Sequence, residues 1–468
     1  MITASAFAGK HYAVYGLARS GLATVEALLA SGAKVTAWDA KEEARAKLLP
    51  GTGRGTSEAG GGVPQNLQVS TVDPHHHSAS LSGPPPRSGE DLVIANLNET
   101  DLAQFDSVVV TPGLPLNRHP IASRARDAGV EIIGDIELFA RARPELPPHK
   151  VVGITGTNGK STTTALVHHI LQTAGVPTTM GGNIGLPILA QDPLPEGGVY
   201  VLELSSYQLD LTQSLDCDVA VLLNITPDHL DRYETFEAYA ASKARLFEMQ
   251  ERPHVSIVDV GNEQGDSIVL DYVSGVTSGA LRFIDRFSVD QSGWPTLQGP
   301  HNAQNAAAAI EVANVLGLDK RAVETAFRTF PGLPHRMERI REKDGVTFVN
   351  DSKATNPTAT APALAAFERI RWICGGQAKT NNLDECAPHF GHVRAAYMIG
   401  EAADLFEKLL SPHVPTKNCG KLDAAVRQAA ADAEAGDTVL LSPACASFDQ
   451  FKDFEDRGDQ FKRLVGAL

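Results

Sequence analysis

Short apolar runs ending in glycine alternate with longer stretches of helical period along most of the chain. HYAVYG (residues 11–16) reads as a buried strand, 20–30 as a helix and KVTAWD (34–39) as a second strand. Strand, glycine turn, helix and strand open a doubly wound α/β unit, because strands buried on both faces read as unbroken apolar runs between crossover helices. SVVVTPG (107–113) resumes the pattern. Residues 50–90 interrupt it with Gly, Ser, Pro and His, which predicts a surface insertion without a packed core. The triplet His75, His76 and His77 within it reads as a solvated loop.

PELPPHK (144–150) reads as a linker, and a second α/β pattern follows it. Its strands are VVGIT, VYVLEL (199–204) and VAVLLNIT (219–226), with an alanine-rich helix through NAAAAIEVANVLG. A third pattern starts at VTFVND (346–351) and continues through RWICGG (371–376), AAYMIG (395–400) and TVLLSPA (438–444). The alternation predicts mainly parallel sheets throughout. The fold class expected is α/β in three domains, 1–138, 139–332 and 333–468. The outer two are Rossmann-like and the middle one carries a phosphate loop.

The length supports this division, since 468 residues at about 150 per domain gives about three. Lys plus Arg number 41 against 56 Asp plus Glu, a formal charge of −15. That balance argues against a general nucleic-acid binder, which needs a basic face. No apolar stretch approaches the roughly 18 residues of a membrane span, and the opening MITASAFAGK does not resemble a secretory leader. Cys217, Cys374, Cys386, Cys419 and Cys445 are scattered, which predicts reduced thiols in a cytoplasmic protein.

The strongest chemical signal is VVGITGTNGKSTTT (151–164), a buried strand, a glycine-rich turn and a helix. Backbone N–H groups through Gly156, Thr157, Asn158 and Gly159 would face phosphate oxygens at a helix N-terminus, with Thr162 in the first turn. Lys160 would reach the β- and γ-phosphates and Ser161 would ligate Mg²⁺. Ile154 stands where the first glycine of GxxxxGK[ST] would fall, but the strand–loop–helix context is the one that motif requires. The turn GLARSG (16–21) is weaker, because Ala18 replaces the middle glycine of a dinucleotide fingerprint. It suits a nucleotide site without nicotinamide chemistry, with Asp39 at the end of the next strand.

TGTNGKST and the blocks after it resemble the Mur ligase family, the ATP-dependent amide ligases of peptidoglycan precursor synthesis. The blocks are GDIELF, GGNIGLP, LELSSYQL, NITPDHLDRY, HNAQN, GLPHRME, NDSKATNP and SPACASFDQFKDFEDRG, in family order over most of the chain. NDSKATN and SPACASFDQF resemble the branch that adds D-glutamate to UDP-N-acetylmuramoyl-L-alanine. The resemblance implies ATP, two Mg²⁺ sites, an acyl-phosphate intermediate and three domains, the last closing over the site. A monomer acting on small molecules is expected.

The same resemblance implies individual roles. Glu203, at a strand end, would hold Mg²⁺, and His229 a second Mg²⁺. Asn183 would lie by the reacting phosphate and carboxylate. Lys243 follows Tyr239 by four residues on one helix face, and the family's matching lysine is carbamylated by CO₂ into a metal-holding anion. That reaction needs the neutral amine, which burial favours. Asn302 and Asn305, placed before the alanine-rich helix, would approach adenine and ATP, although either could instead cap that helix. Arg336 would contact ATP phosphate and Asp351 its ribose. Lys353, Thr355, Lys379, Ser447 and Phe448 would bind D-glutamate, with Phe454 packed nearby. Leu17, Ala18, Arg19, Asp39 and Thr111 would meet the uracil nucleotide. Other amide ligases of this type, such as a folate polyglutamylating enzyme, and a P-loop regulator or transport ATPase are the alternatives. NDSKATN and SPACASFDQF favour the D-glutamate-adding branch over the other amide ligases, and a P-loop regulator or transport ATPase leaves them unexplained.

Overall fold

The computed structural model describes residues 1–48, 91–229, 232–251, 253–259 and 279–468. The expected insertion at 50–90, with His75, His76 and His77, lies outside them. The described residues form three sheets. The first contains β1 (His11–Tyr15), β2 (Lys34–Trp38), β3 (Leu92–Ile94), β4 (Ser107–Val110) and β5 (Glu131–Ile133), in order β3-β2-β1-β4-β5. The second contains β6 (His149–Thr155), β7 (Thr178–Gly182), β8 (Gly198–Glu203), β9 (Val219–Leu222), β10 (Val255–Val258) and β11 (Ala280–Phe283), in order β11-β10-β9-β6-β8-β7. Every pairing in these two sheets is parallel. Helices cover both faces, so central strands such as VAVL in β9 are buried at every position.

The third sheet contains β12 (Glu338–Lys343), β13 (Val346–Asn350), β14 (Ile370–Gly375), β15 (Val393–Ile399), β16 (Thr416–Gly420) and β17 (Thr438–Leu441), in order β12-β13-β17-β14-β15-β16. Sequence reading started this part at residue 346. The structure adds β12, which pairs antiparallel with β13. Its sequence ERIREK is half-exposed at a sheet edge, where charged residues are tolerated and no apolar run marks the strand. A second difference concerns HNAQN. It lies inside the helix Pro300–Leu316, whose N-cap is Gly299, so neither Asn302 nor Asn305 is a cap. Proline at the first helical position starts that helix early.

Residue 138 falls within the helix Asp135–Ala142, whose Leu138 and Phe139 are fully buried. The chain then runs from the first sheet to the second through residues 143–148. The Arg19 guanidinium donates to Gly185 O at 3.0 Å, and Arg232 donates to Leu114 O, tying the first two units together. No helix among the described residues is long and apolar enough to cross a membrane.

One buried cation organises the third unit. Arg457, in the helix Phe454–Gly466, is 0% exposed. It donates to Ser352 Oγ (2.9 Å), Ser352 O (2.8 Å), Cys445 O (3.1 Å) and Ala446 O (3.3 Å). All four acceptors are neutral, and burial lowers its pKa to about 10. The fork thus pins the loop after β13 to the loop after β17. Replacing it strands several buried carbonyls, each of which costs about 1–3 kcal/mol. Arg457→Met is therefore expected to destabilise the third unit by about 3 kcal/mol. Urea unfolding followed by Trp372 fluorescence, in a Trp38→Phe/Trp294→Phe background, measures it. A loss well under 1 kcal/mol would contradict this account.

Candidate active site

β6 ends at Thr155, the loop 156–159 follows, and the helix Lys160–Thr173 begins immediately. Gly159 has φ +85°, and a Cβ there would stand 2.3 Å from Asn305 Oδ1, so only glycine permits the approach of the helix Pro300–Leu316. The loop is held by the strand end beside it. Thr157 N–H donates to Asn224 O (2.9 Å), and Asn158 N–H donates to Asn224 Oδ1 (2.8 Å). Thr157 Oγ1 accepts from Thr226 N–H at 3.0 Å.

Two ammonium groups converge on this loop. Lys160 Nζ donates to Gly156 O (2.8 Å) and Thr157 O (2.9 Å). Lys243 Nζ donates to the same Gly156 O at 2.9 Å. Lys243 is 1% exposed and lies 4.6 Å from the centre of the Tyr239 ring. Burial pushes its pKa well below the ordinary lysine value, and repulsion from Lys160 adds to the effect. Burial also lowers Lys160, with Glu203 opposing and Arg336 reinforcing the shift.

Glu203 closes β8 at the carboxyl end of the sheet, where open α/β sheets place ligand groups. Its Oε1 accepts from Asn183 Nδ2 at 2.9 Å, while its buried Oε2 has no hydrogen-bond partner. Ser161 is buried in the first helical turn. His229 adopts a left-handed φ of 55°, and its ring lies 5.0 Å from that of Tyr207 and 6.1 Å from that of Tyr239. Among the described residues no group of three or more His, Cys, Asp or Glu side chains could hold a metal ion. A cation bound here would therefore complete its shell with hydroxyl, phosphate or water oxygens.

A cavity of about 260 Å³ opens between the second and third sheets. Asn158, Gly159, Thr162, Asn302 and Asn305 line it from one side, and Arg336, Asp351 and Lys353 from the other. Asn302 and Asn305 face it as a linked pair, Asn305 Nδ2 donating to Asn302 Oδ1 at 3.1 Å. Arg336 emerges between two residues of left-handed backbone, His335 (φ 61°) and Met337 (φ 50°). Asp351 holds that turn, accepting from Met337 N–H (3.1 Å) and from Ser442 Oγ (2.7 Å). Burial raises the Asp351 carboxyl to about 7. Burial, then repulsion from Arg336, lowers Lys353.

Of the residues expected to bind D-glutamate, Lys353 alone lines the cavity. Lys379 Nζ reaches Thr355 Oγ1 at 3.4 Å, and Lys353 Nζ lies 5.9 Å from the centre of the Phe454 ring. Ser447 is buried and Phe448 is 69% exposed. The residues expected to meet the uracil nucleotide stand apart, and none of them lines the cavity. Leu17 is fully buried, so only its backbone is available, and its N–H donates to Asp39 Oδ2 at 2.7 Å. Ala18 caps the helix Arg19–Ala30, and Thr111 packs against Gly16. Asp39 therefore serves its own turn first.

Sequence reading did not single out Asn224 or Gln304, although both lie in quoted blocks. Asn224 clamps the phosphate loop, and Gln304 Oε1 accepts from Asn224 Nδ2 at 3.1 Å. Neither residue type carries reactive chemistry, so no individual signal marked them.

Comparisons with known proteins add the family. The model for the Mur ligase middle domain matches residues 154–276, and the model for the Mur ligase glutamate ligase domain matches 335–445. The UDP-N-acetylmuramoylalanine–D-glutamate ligase of Novosphingobium aromaticivorans is 55% identical over 100% of this chain and 97% of its own length. The protein of that name in Sphingopyxis alaskensis is 55% identical over 100% of both chains. That of Zymomonas mobilis is 50% identical, again over 100% of both. Among solved structures, the UDP-N-acetylmuramate–alanine ligase of Thermotoga maritima has a TM-score of 0.55 at 16% identity, covering 98% of this chain and 99% of its own. A bifunctional folylpolyglutamate synthase/dihydrofolate synthase from Yersinia pestis has a TM-score of 0.52 at 18% identity, covering 71% of this chain and 93% of its own. These distant likenesses show a shared fold, and the closer ones show more: the chain belongs to the Mur ligase family.

Proposed function

We propose that this enzyme joins the amine of D-glutamate to the carboxylate of UDP-N-acetylmuramoyl-L-alanine, converting ATP to ADP and phosphate. It thereby serves peptidoglycan precursor synthesis. The observation that carries the reading is the cavity in which the phosphate loop, Asn302 and Asn305 face Arg336, Asp351 and Lys353. One wall suits a nucleoside triphosphate and the other presents two cations to the groups that react with it. The full-length relatives supply the substrates through their names.

The substrate carboxylate attacks the γ-phosphorus, the bond to ADP breaks, and an acyl phosphate forms. The amine of D-glutamate then attacks the acyl carbon, a proton leaves the nitrogen, and phosphate is expelled. Phosphoryl transfer asks for positioning and charge neutralisation. Lys160 and the N–H groups of Gly159 and the first helical turn bind the phosphates, those of Thr157 and Asn158 being taken by Asn224, and Arg336 neutralises the transferred group from the third unit. Asp351 aligns the ribose side and Asn302 and Asn305 the adenine side. Asn183 orients the reacting carboxylate. Lys353 binds a carboxylate of D-glutamate, with Thr355, Lys379, Ser447 and Phe448 completing that pocket. Leu17, Ala18, Arg19, Asp39 and Thr111, in the first unit, receive the uracil nucleotide.

Mg²⁺ fits this site, because Glu203 Oε2 is a buried carboxylate oxygen without a partner and hard oxygen donors suit that ion. Ser161, Glu203 and His229 would hold two such ions with Lys243 as its carbamate. Bound there, they supply charge neutralisation of the phosphates. The carbamate reading is supported by two buried ammoniums sharing one carbonyl. Addition of CO₂ to neutral Nζ, with loss of a proton, replaces that repulsion by attraction to Lys160. The enzyme acts as a cytoplasmic monomer on small-molecule substrates.

Purified protein with ATP, Mg²⁺ and UDP-N-acetylmuramoyl-L-alanine should release phosphate only when D-glutamate is added. Release driven instead by L-lysine, meso-diaminopimelate or L-alanine would defeat the assignment. Lys160→Ala should lower kcat by roughly a hundredfold or more, since it removes a charge aimed at the transferred phosphoryl group. In bicarbonate buffer, native mass spectrometry should show the mass gain of one CO₂, absent in Lys243→Ala. Its occupancy should fall as pH drops, because protonation of Nζ removes the reactive amine. Absence of the gain together with full activity of Lys243→Ala would end the carbamate reading.

A further inference from the structure

The phosphate loop is joined to the helix Pro300–Leu316 by a chain of amides, buried at its Gln304 end, that no role above uses. Asn158 N–H can only donate, so its 2.8 Å bond fixes Oδ1 as the end of Asn224 facing the loop. Asn224 Nδ2 then has two hydrogens to place. One goes to Asn158 O (3.1 Å) and the other to Gln304 Oε1 (3.1 Å). The Gln304 amide is thereby oriented as well. Its Nε2 donates to Leu223 O at 2.7 Å and to the carboxylate of Asp259. Every N–H of both amides is used, and the donors run one way from the loop to Asp259. Gln304 is 7% exposed and Asp259 6%, so water is excluded from the Gln304 end of the chain, while the Asn158–Asn224 end is open to solvent.

The helix carrying Gln304 also carries Asn302 and Asn305 into the cavity. Asn305 Oδ1 abuts Gly159 and accepts from Thr163 Oγ1 at 3.2 Å. The helix therefore grips the loop at two successive residues, Asn158 through Asn224 and Gln304, and Gly159 through Asn305. From this geometry we infer that Asn224 and Gln304 are positioning residues that lock the phosphate-binding loop to the base-side helix, so that ATP affinity depends on the polarity of their amide chain. The inference rests on the ATP site proposed above.

The polarity itself can be tested. Gln304→Glu keeps the shape and the acceptor toward Asn224 but turns a carboxylate oxygen on Leu223 O and Asp259. Asp259→Asn in that background restores a donor opposite the new oxygen. Calorimetry of ATP binding to the full chain, with Mg²⁺ present, reads the effect. The Kd of Gln304→Glu should rise by about tenfold, and that of the Gln304→Glu/Asp259→Asn double variant should recover by at least about threefold. Steady-state KM for ATP should follow, while KM for D-glutamate stays within about twofold. Gln304→Leu should weaken ATP binding as well, and Asp259→Asn should not rescue it. Thermal unfolding of each variant separates this from loss of the fold. Gln304→Glu and Gln304→Leu binding ATP as the parent does would overturn the inference, as would a double variant no better than Gln304→Glu. Failure of the parent protein to bind ATP would instead overturn the site assignment beneath it.

Discussion

The Gly156 carbonyl accepts from two lysine ammoniums, and the rest of the site is arranged around that concentration of charge. Two cations on one neutral oxygen repel each other, and burial removes the water that would screen them. Arg336 and Lys353 enter the same region from the third unit and depress Lys160 further. Glu203 is the acidic group that opposes the shifts of both Lys160 and Lys353. Asp228 also acts on Lys160 and Lys243, and Glu455 on Lys353, so the site gathers four cations among acidic neighbours inside a chain of net charge −15. An anion entering the cavity relieves a strain that is already present, so local potential and total charge point in opposite directions without conflict.

The scaffold explains how such charge is held. Parallel strands end on one side of each sheet, and the loops there collect chemistry while buried strands keep them in register. β6 delivers the phosphate loop, β8 delivers Glu203, and β9 delivers the turn that binds the loop from beside it. The third unit uses a different device. Arg457 has no carboxylate among its hydrogen-bond acceptors, and its guanidinium adds to the Ser442–Asp351 and Ala444–Ala354 bonds that already join the same two loops. Those loops carry Lys353 and Ser447.

Legibility in the sequence followed the range of the physics. The phosphate loop was readable because strand, glycine turn and helix are contiguous, and Glu203 because strand ends are visible as apolar runs. The Tyr239–Lys243 spacing placed both on one face, and the structure stacks the ammonium over the ring. What was hidden depends on partners distant in the chain. Asn224 and Gln304 are 80 residues apart and are unremarkable separately. β12 was missed because an edge strand needs only backbone pairing on one side. Leu17 and Asp39 were read as ligand contacts from a glycine turn; what the turn alone did not reveal is that the Leu17 side chain packs in the core and that Asp39 accepts the Leu17 N–H. A glycine turn must satisfy its own backbone before it serves a substrate.

The same demand governs the third unit's cations. Arg336 sits between His335 and Met337, both with left-handed backbone that non-glycine residues adopt at some cost. Asp351 accepts from Met337 N–H, and Lys353 N–H donates to His335 O at 2.9 Å. Asn350 Nδ2 bonds both the His335 ring (3.0 Å) and Glu338 Oε2 (3.1 Å), and Glu338 accepts from His335 N–H at 2.8 Å. Arg336 and Lys353 are therefore mounted on one cross-braced frame and cannot be repositioned separately. A shift of the third sheet against the second would withdraw or deliver both charges at once. Charge balance in the cavity is then a property of how the units are arranged, which is why two cations so far apart from the phosphate loop in sequence can act with it as one site.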